Sequence, residues 1–387
     1  MAKNKKSKKI RTALKKRHQT RQRTGNLTRE FQQHGFEDES PEKRERVSGK
    51  GDLTRHRTVI GVAADVDDTG LQVHLNVNDV NTITGRVLRV HGLESVVLAD
   101  TGVEYRCAIR GLLKNMDTDQ RNVVAAGDRV TIRPEQVSGS DDTQQGLIVR
   151  IEPRYGVISR TSRGQQHVIV TNVDQIVIVA SLSEPALKPN LIDRFLITAE
   201  RVGCDSVVCL NKTDLIDPAE LQPLAGVYGQ LGYHTLFSSA TSGQGIEELR
   251  TLLKHKQSVI VGQSGVGKSS LLNAIDPHLK LATAHVSKDN QKGKHTTTGA
   301  SLNAIRSGGF VVDTPGIRQF QLWDVIAEEV AGFYREIRPF INKCKYPDCS
   351  HVHERQCGVK HAVADGLIDL RRYDSYCQIR EADDSIR

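Results

Sequence analysis

The sequence predicts three consecutive domains of different class: an all-β barrel of the OB type at 82–155, an α/β domain at 156–322, and a small α-rich, zinc-binding domain at 323–387. Three observations support this division. Several short alternating or β-branched stretches, separated by glycine-bearing turns, fall within about 70 residues. A glycine-rich, phosphate-binding pattern follows an apolar stretch in the second domain. Three cysteines are crowded into 344–357, which indicates metal binding.

The N-terminal extension accounts for the excess of positive over negative charge. The chain has 54 Lys and Arg against 46 Asp and Glu, and 11 of these basic residues lie in 1–25, which contain no acid. The rest of the chain is therefore nearly neutral. Such a tail favours a polyanion partner, most simply nucleic acid, over a merely solubilising role. Residues 1–60 are polar without apolar periodicity, so we expect them to be disordered in isolation.

The sequence carries no signal for export or membrane insertion. No apolar segment follows the basic N-terminal residues, and no apolar stretch approaches the ~18 residues that a spanning helix needs. We therefore expect a cytoplasmic protein.

The predicted barrel contains five strands, at 85–90, 95–100, 105–110, 127–132 and 146–151. Barrels of this type commonly bind oligonucleotides. Several arginines would supply positive charge: Arg86, Arg89, Arg106, Arg110 and Arg129. Because Tyr105 is the only aromatic residue in these strands, contact with an RNA backbone is a better expectation than base stacking. The alternative is a barrel that serves only as a spacer.

The α/β domain contains a complete phosphate-loop motif of the form G-x-x-x-x-G-K-[ST]. It runs through Gly262, Gln263, Ser264, Gly265, Val266, Gly267, Lys268 and Ser269, and Ser270 opens the helix that follows. A β-branched strand at 258–261 precedes it. Glycines allow the backbone N–H groups to converge on phosphates. Lys268 is expected to reach the β- and γ-phosphates and Ser269 to ligate Mg²⁺.

A second motif, N-K-x-D, indicates the base that is recognised. Asn211, Lys212 and Asp214 directly follow a buried strand at 206–210. A carboxylate at Asp214 can accept hydrogen bonds from N1–H and the 2-amino group of guanine, whereas adenine offers neither donor there. Ser239 and Ala240 resemble the loop whose backbone N–H contacts the guanine oxygen.

Two further segments resemble nucleotide-sensing switches. The stretch 284–300 contains His295, Thr297 and Thr298, either threonine being a candidate for Mg²⁺ and the γ-phosphate. In D-T-P-G, Asp313 is expected to hold Mg²⁺ through water and the Gly316 N–H to sense the γ-phosphate. Ile317 stands where small GTPases often have a glutamine that orients the attacking water. His295 is our candidate for that task, and an exposed loop histidine is the alternative.

The order of these motifs is unusual, because N-K-x-D and the guanine loop precede the phosphate loop. The α/β domain therefore resembles a circularly permuted P-loop GTPase. Permutation is tolerated where termini lie close together on the surface. As a consequence, the segment after Gly316, at 317–335, leads directly into the C-terminal domain, and we expect it to transmit the nucleotide state.

The cysteine-rich segment has the spacing Cys-x₄-Cys-x-His-x₅-Cys, formed by Cys344, Cys349, His351 and Cys357. Three thiolates and one imidazole are a standard tetrahedral set for one structural zinc ion. His353 and His361 are competing imidazoles. The remaining cysteines, Cys107, Cys204, Cys209 and Cys377, are interpreted as packing residues.

Together, the barrel, the permuted motifs and the cysteine module resemble the bacterial ribosome-small-subunit-dependent GTPase family over about 82–385. The resemblance implies a factor acting late in assembly of the 30S subunit, bound to its 16S rRNA, with GTP hydrolysis stimulated by the subunit and coupled to release. It implies Mg²⁺ with GTP and one structural zinc. We expect a monomer without membrane or DNA partners. A GTP-gated RNA-binding scaffold with incidental hydrolysis and a P-loop kinase or transport ATPase are the alternatives.

Overall fold

A computed structural model describes residues 8–13, 56–63, 73–75, 81–92, 94–109, 123–135, 144–162, 165–181, 183, 185–281, 300–313 and 326–384. The chain divides into two compact units. The first comprises 1–80 and 110–119, and the second comprises 81–109 and 120–387. No helix in the described part of the chain is long and apolar enough to cross a membrane.

The first unit contains a three-stranded antiparallel sheet of β1 (Lys8–Ala13), β2 (His56–Ala63) and β3 (Val73–Leu75). Within the segment 1–60, which the sequence predicts to be disordered in isolation, the structure describes β1 and the first residues of β2 as strands. Strand β2 contains Val59 and Ile60, β-branched residues that favour extended backbone. Pairing with β1, in which Lys8 lies opposite Gly61, satisfies the backbone groups that a disordered chain leaves to water. The rest of 1–60 lies outside the described residues.

The five predicted barrel strands are confirmed as β4 (Ile83–His91), β5 (Glu94–Ala99), β6 (Glu104–Ile109), β7 (Arg129–Glu135) and β8 (Gln144–Ile151). They pair in the order β4-β5-β6-β8-β7, and a β4–β7 pairing closes the barrel. Val87, Val97, Cys107, Ile132 and Ile148 are fully buried. Their alternation with exposed residues is the pattern that the sequence used to predict a barrel.

A buried ion pair fixes the exit from the barrel. Asp128 is fully buried, and its two carboxylate oxygens accept from Nε and Nη2 of Arg154 at 2.7 Å each. The same carboxylate accepts from Thr171 Oγ1 at 2.7 Å and from the Ala125 N–H at 2.8 Å. A hairpin that the sequence did not predict, β9 (Ile158–Ser162) and β10 (Gln165–Val170), lies between Arg154 and Thr171. The barrel is thereby joined to the start of the α/β domain.

The α/β domain is a mostly parallel sheet with helices on both faces. Its strands are β11 (Gln175–Ser181), β12 (Asp205–Asn211), β13 (His234–Ser238), β14 (Gln257–Val261), β15 (Ser301–Ala304) and β16 (Phe310–Asp313). The sheet order is β13-β12-β11-β14-β16-β15, with β15 antiparallel. Strand β15 also pairs with β4 through Ser301 and Arg89, so barrel and domain share one sheet of 11 strands.

Four helices cover this sheet: α1 (Pro189–Val202), α2 (Gln222–Gln230), α3 (Ile246–Leu253) and α4 (Lys268–Ile275). Helices α1 and α2 pack into one apolar core, and α3 and α4 into the other. Short 3₁₀ turns occupy Thr213–Leu215, Pro218–Leu221 and Pro277–Leu279. The alternation of strand and helix is typical of a parallel sheet.

The C-terminal module is built from 3₁₀ turns at Val330–Phe333 and Arg338–Lys343 and from helices α5 (Gly358–Ala364) and α6 (Leu370–Asp384). The predicted helical character of 359–385 is confirmed at 359–364 and 370–384, and 365–369 form the turn between the two helices. The core of the module includes Tyr334, Ile337 and Tyr376, together with Ile197 of α1. Barrel, α/β domain and module fall in one compact unit, so the boundaries at 82–155, 156–322 and 323–387 stay a prediction.

Replacing Asp128 by Ala should lower the free energy of unfolding by about 3–5 kcal/mol, because it leaves a largely buried guanidinium without its partner. The more exposed ion pair of Arg150 and Glu152 supplies a control, since Glu152→Ala should cost no more than about 1 kcal/mol. Urea denaturation of the full chain measures both. Equal losses in the two variants would contradict the role given to Asp128.

Candidate nucleotide-binding site and metal centre

The phosphate-loop motif lies between β14 and α4, the strand and helix that the sequence predicted around it. Gly262 has φ of 143°, and a Cβ there would lie 2.1 Å from the Val179 carbonyl oxygen. Gly267 precedes α4 with φ of 95°, and a Cβ there would lie 2.5 Å from Asn211 Nδ2. Both positions therefore need glycine for the close approach of neighbouring atoms. The loop ends at the N-terminus of α4, which favours anions.

Lys268 lies folded over this loop. Its Nζ donates to the carbonyl oxygens of Gly262 at 2.9 Å and Gln263 at 2.8 Å. The ammonium group is thus held beside the loop backbone. A positive charge in that position can neutralise the phosphates of a bound nucleotide.

Asn211 connects the guanine motif to the phosphate loop. It is the last residue of β12, and its Nδ2 donates to the Val266 carbonyl oxygen at 2.8 Å. Its Oδ1 accepts from Ser238 Oγ at 3.2 Å. Lys212, which follows, has φ of 68°, a left-handed conformation that is uncommon outside glycine. One buried amide therefore holds three loops together, and the motifs that the sequence placed 55 residues apart meet in space.

Asp214 is exposed and oriented by the second guanine element. Ser239 Oγ donates to Asp214 Oδ1 at 2.6 Å and accepts from the backbone N–H of Ser242 at 3.1 Å. Thr213 Oγ1 donates to the Ser238 carbonyl at 3.1 Å and to Gln244 Oε1 at 2.8 Å. Sequence reasoning identified Ser239 and Ala240 but missed Thr213, Ser238 and Gln244. The sequence does not indicate which groups a polar side chain beside a motif will contact.

The candidate magnesium ligands converge on one edge of the sheet. Strands β14 and β16 are parallel neighbours, with Val259 opposite Val312, so the phosphate loop and Asp313 follow the same ends of the two strands. Ser269 lies in the first turn of α4. The structure gives the backbone position of Asp313 only. His295, Thr297, Thr298 and Gly316 lie outside the described residues.

Three cysteines outside the C-terminal motif, Cys107, Cys204 and Cys209, behave as packing residues. Burial raises the pKa of Cys107, Cys204 and Cys209 to about 12, which keeps these thiols protonated at neutral pH. Cys209 lies 3.1 Å from Ser238 Oγ, beneath the guanine motif.

The four residues of the C-terminal motif could hold one metal ion. The ligand atoms of Cys344, Cys349, His351 and Cys357 all lie within 4.8 Å of one another. Cys344 Sγ is 3.8 Å from Cys357 Sγ, and His351 Nδ1 is 3.3 Å and 3.5 Å from these two sulfurs. Bonds of ~2.3 Å to sulfur and ~2.0 Å to nitrogen in a tetrahedron give edges of about 3.8 Å and about 3.5 Å. The donor set and spacing fit zinc, and the competing imidazoles His353 and His361 are exposed.

Comparison with known proteins identifies the family. Residues 151–323 match the family model described as RsgA GTPase. The curated protein "Small ribosomal subunit biogenesis GTPase RsgA" of Gemmatimonas aurantiaca is 36% identical over 301 residues, which cover 77% of this chain and 96% of that protein. The chain belongs to the RsgA GTPase family. A second member, "Small ribosomal subunit biogenesis GTPase RsgA 1" of Vibrio vulnificus, is 39% identical over 290 residues, or 73% of this chain and 79% of that protein.

Solved structures similar to this RsgA-family chain support the same assignment. "YjeQ from Thermotoga maritima" is 35% identical with a TM-score of 0.64, covering 78% of this chain and 98% of that one. "YloQ, a circularly permuted GTPase" is 28% identical with a TM-score of 0.61, covering 80% and 98%. The predicted family, the permuted fold class and the enzyme class of GTPase are thereby confirmed, and the kinase or transport ATPase alternative is wrong.

Replacing Cys344 by Ser should lower the bound metal from about one ion per chain to well below one, since a structural site needs all four ligands. The thermal stability of the C-terminal module should fall with it. Cys377→Ser is the matched control, because Cys377 is a half-buried thiol of the same module outside the cluster. Elemental analysis and thermal denaturation measure both effects. Wild-type metal content in the Cys344 variant would exclude Cys344 as a ligand.

Proposed function

We propose that this GTPase binds the 30S ribosomal subunit, acts late in its maturation, and hydrolyses GTP to GDP and phosphate with stimulation by the subunit. The observation that carries the proposal is the Asn211–Val266 hydrogen bond, which joins the N-K-x-D motif to the phosphate loop in a chain of this family. The curated relatives bear the name small ribosomal subunit biogenesis GTPase. Release from the subunit is coupled to hydrolysis in this proposal.

Each nucleotide group has a proposed partner. The N–H groups of Gly262–Ser270 and the Lys268 ammonium bind the phosphates. Ser269 and Asp313 would hold Mg²⁺, which would supply positive charge to stabilise the phosphoryl group during its transfer. Asp214, held by Ser239, accepts from the guanine N1–H and 2-amino group, and the Ala240 N–H donates to the guanine oxygen. Adenine would leave the Asp214 carboxylate poorly satisfied.

Hydrolysis requires a water molecule oriented for attack. The chain lacks the glutamine after Gly316 that orients this water in many small GTPases. In our proposal His295 orients this water, and Thr297 or Thr298 and the Gly316 N–H engage Mg²⁺ and the γ-phosphate. These assignments rest on the sequence pattern. If the 30S subunit positions the segment that carries His295, hydrolysis would depend on the subunit.

The proposed rRNA contacts use the basic N-terminal residues and the exposed arginines of the barrel, Arg89, Arg106 and Arg129. Arg86 is not among them. Its Nη1 donates to Gln257 Oε1, and its guanidinium lies 5.0 Å from the centre of the Phe310 ring. Arg86 is half-buried and engaged in these contacts, so we leave it out of the proposed rRNA surface. We further propose a structural zinc ion, a monomer, and a cytoplasmic location shared with the ribosome.

GTP turnover should rise strongly with purified 30S subunits and should rise less or not at all with 50S or 70S particles. Added salt should suppress the stimulation, because binding to RNA phosphates releases counterions and is therefore weakened by salt.

His295→Ala should bind 30S normally but lose most of the stimulation, about 10²-fold or more if it orients the water. Slow turnover that no particle changes, with 30S binding intact, would favour the GTP-gated scaffold.

Asp214→Asn should weaken GTP binding by at least tenfold, because hydrogen bonds to a charged group contribute about 1.5–3 kcal/mol. It should improve binding of xanthosine triphosphate, whose C2 oxygen accepts from the asparagine NH₂. Asp217→Asn is the control, since Asp217 is an exposed carboxylate three residues along the chain that accepts from the Ala219 N–H. Fluorescent-nucleotide titration gives the affinities, and unchanged selectivity in Asp214→Asn would remove Asp214 from the base site.

A further inference from the structure

A buried arginine of α6 joins the C-terminal module to the α/β domain. Arg372 is 3% exposed. Its Nε donates to Glu336 Oε1 at 2.6 Å within the module, and its Nη1 donates to Asp193 Oδ1 of α1. These partners precede it by 36 and 179 residues. The arginine therefore bridges a local carboxylate and a distant one.

Aromatic rings complete the environment of this guanidinium. It lies 4.5 Å from the ring centre of Tyr334 and 5.7 Å from that of Tyr228, which belongs to α2. The Tyr228 hydroxyl donates to Asp193 Oδ1 at 3.0 Å. We call Arg372, Asp193, Glu336, Tyr228 and Tyr334 the Arg372 cluster. Burial alone would lower the pKa of Arg372, but Asp193 and Glu336 raise it above its ordinary value, so the guanidinium stays charged.

The opposite side of α1 faces the phosphate loop. Ile192 and Phe195 line an apolar cavity together with Gly262, Gln263 and Val266. Pro185, shortly before α1 begins, lies 3.5 Å from the position that a Cβ on Gly265 would take. One helix therefore contacts the module through Asp193 and Ile197 and the phosphate loop through its other side chains.

We propose that Arg372 is a positioning residue for GTP hydrolysis, which acts through Asp193 to hold α1 against the phosphate loop. This inference rests on the proposed function. The guanine loops around Asp214 and Ser239 have their own hydrogen bonds, so base recognition does not need the cluster. The phosphate loop does depend on the cluster in this proposal, because α1 lines a cavity with Gly262 and Val266 and small displacements of reacting groups lower rates steeply. The C-terminal module thereby influences the chemical step from outside the site.

The variants are chosen so that the protein still folds. Arg372→Met alone would leave two buried carboxylates unpaired, whereas Arg372→Met/Asp193→Asn/Glu336→Gln removes all three charges together. Arg372→Lys keeps the charge but cannot reproduce the fork that serves two carboxylates. Arg371→Met is the matched control, since Arg371 is the preceding residue and its exposed side chain pairs with Asp369 in the same module.

The measurement is single-turnover hydrolysis of bound GTP by the full chain, with and without 30S subunits, together with GTP affinity and melting temperature. We expect the triple variant to lose about 5- to 150-fold in rate at saturating GTP, the range of typical coupling between sites, with less than a threefold change in GTP affinity. Arg372→Lys should lie between this variant and wild type, and Arg371→Met should match wild type.

Three results would overturn the proposal. The first is a folded triple variant with the wild-type rate in both conditions. The second is an equal loss of rate in Arg371→Met. The third is a loss of GTP affinity that accounts for the whole effect, which would indicate a role in binding. If 30S fails to stimulate even the wild-type chain, the proposed function fails, while the comparison of rates without subunits still decides the role of Arg372.

Discussion

The hydrogen bond from Asn211 to the Val266 carbonyl is the interaction on which the nucleotide site depends. Strands β12 and β14 are not neighbours, because β11 lies between them in the sheet. Their loops therefore need a side chain to connect them, and the Asn211 amide spans the gap at 2.8 Å while also accepting from Ser238. A contact between loop ends does not depend on chain order. The site can consequently be assembled in a permuted chain, in which the guanine motif comes before the phosphate loop.

Patterns over a few neighbouring residues predicted those parts of the fold that depend on short-range effects, such as apolar alternation in strands and glycine in tight loops. Alternation predicted the five barrel strands, and glycine spacing predicted the loop in which Gly262 and Gly267 adopt positive φ. The hairpin β9–β10 was not predicted, because Ile158–Ser162 is mostly polar and lacks the apolar alternation that indicates a half-buried strand. Ion pairs such as Arg372–Asp193 were not predicted for a different reason. A charge in a helix looks the same in sequence whether it meets water or a carboxylate 179 residues away.

Buried polar clusters occupy both junctions of the second unit. Asp128 and Arg154 lie where the barrel meets the α/β domain, and Arg372, Asp193 and Glu336 lie where that domain meets the C-terminal module. Desolvation makes such pairs weak sources of net stability, but they tolerate only a narrow range of geometries. An apolar junction could slide, whereas a two-pronged guanidinium cannot without losing its partners. Their effect is therefore to fix orientation.

The sheet order shows how the C-terminal module is connected to the elements around the phosphate loop. Strand β14, which leads into the loop, lies between β11 and β16. The module follows β16 along the chain, and through Arg372 it holds α1, the helix that follows β11. It is therefore connected to both neighbours of β14, along the chain to β16 and through Arg372 to the helix that follows β11. The Arg372–Asp193 pair thus gives the module a second connection to the sheet besides its covalent link to β16.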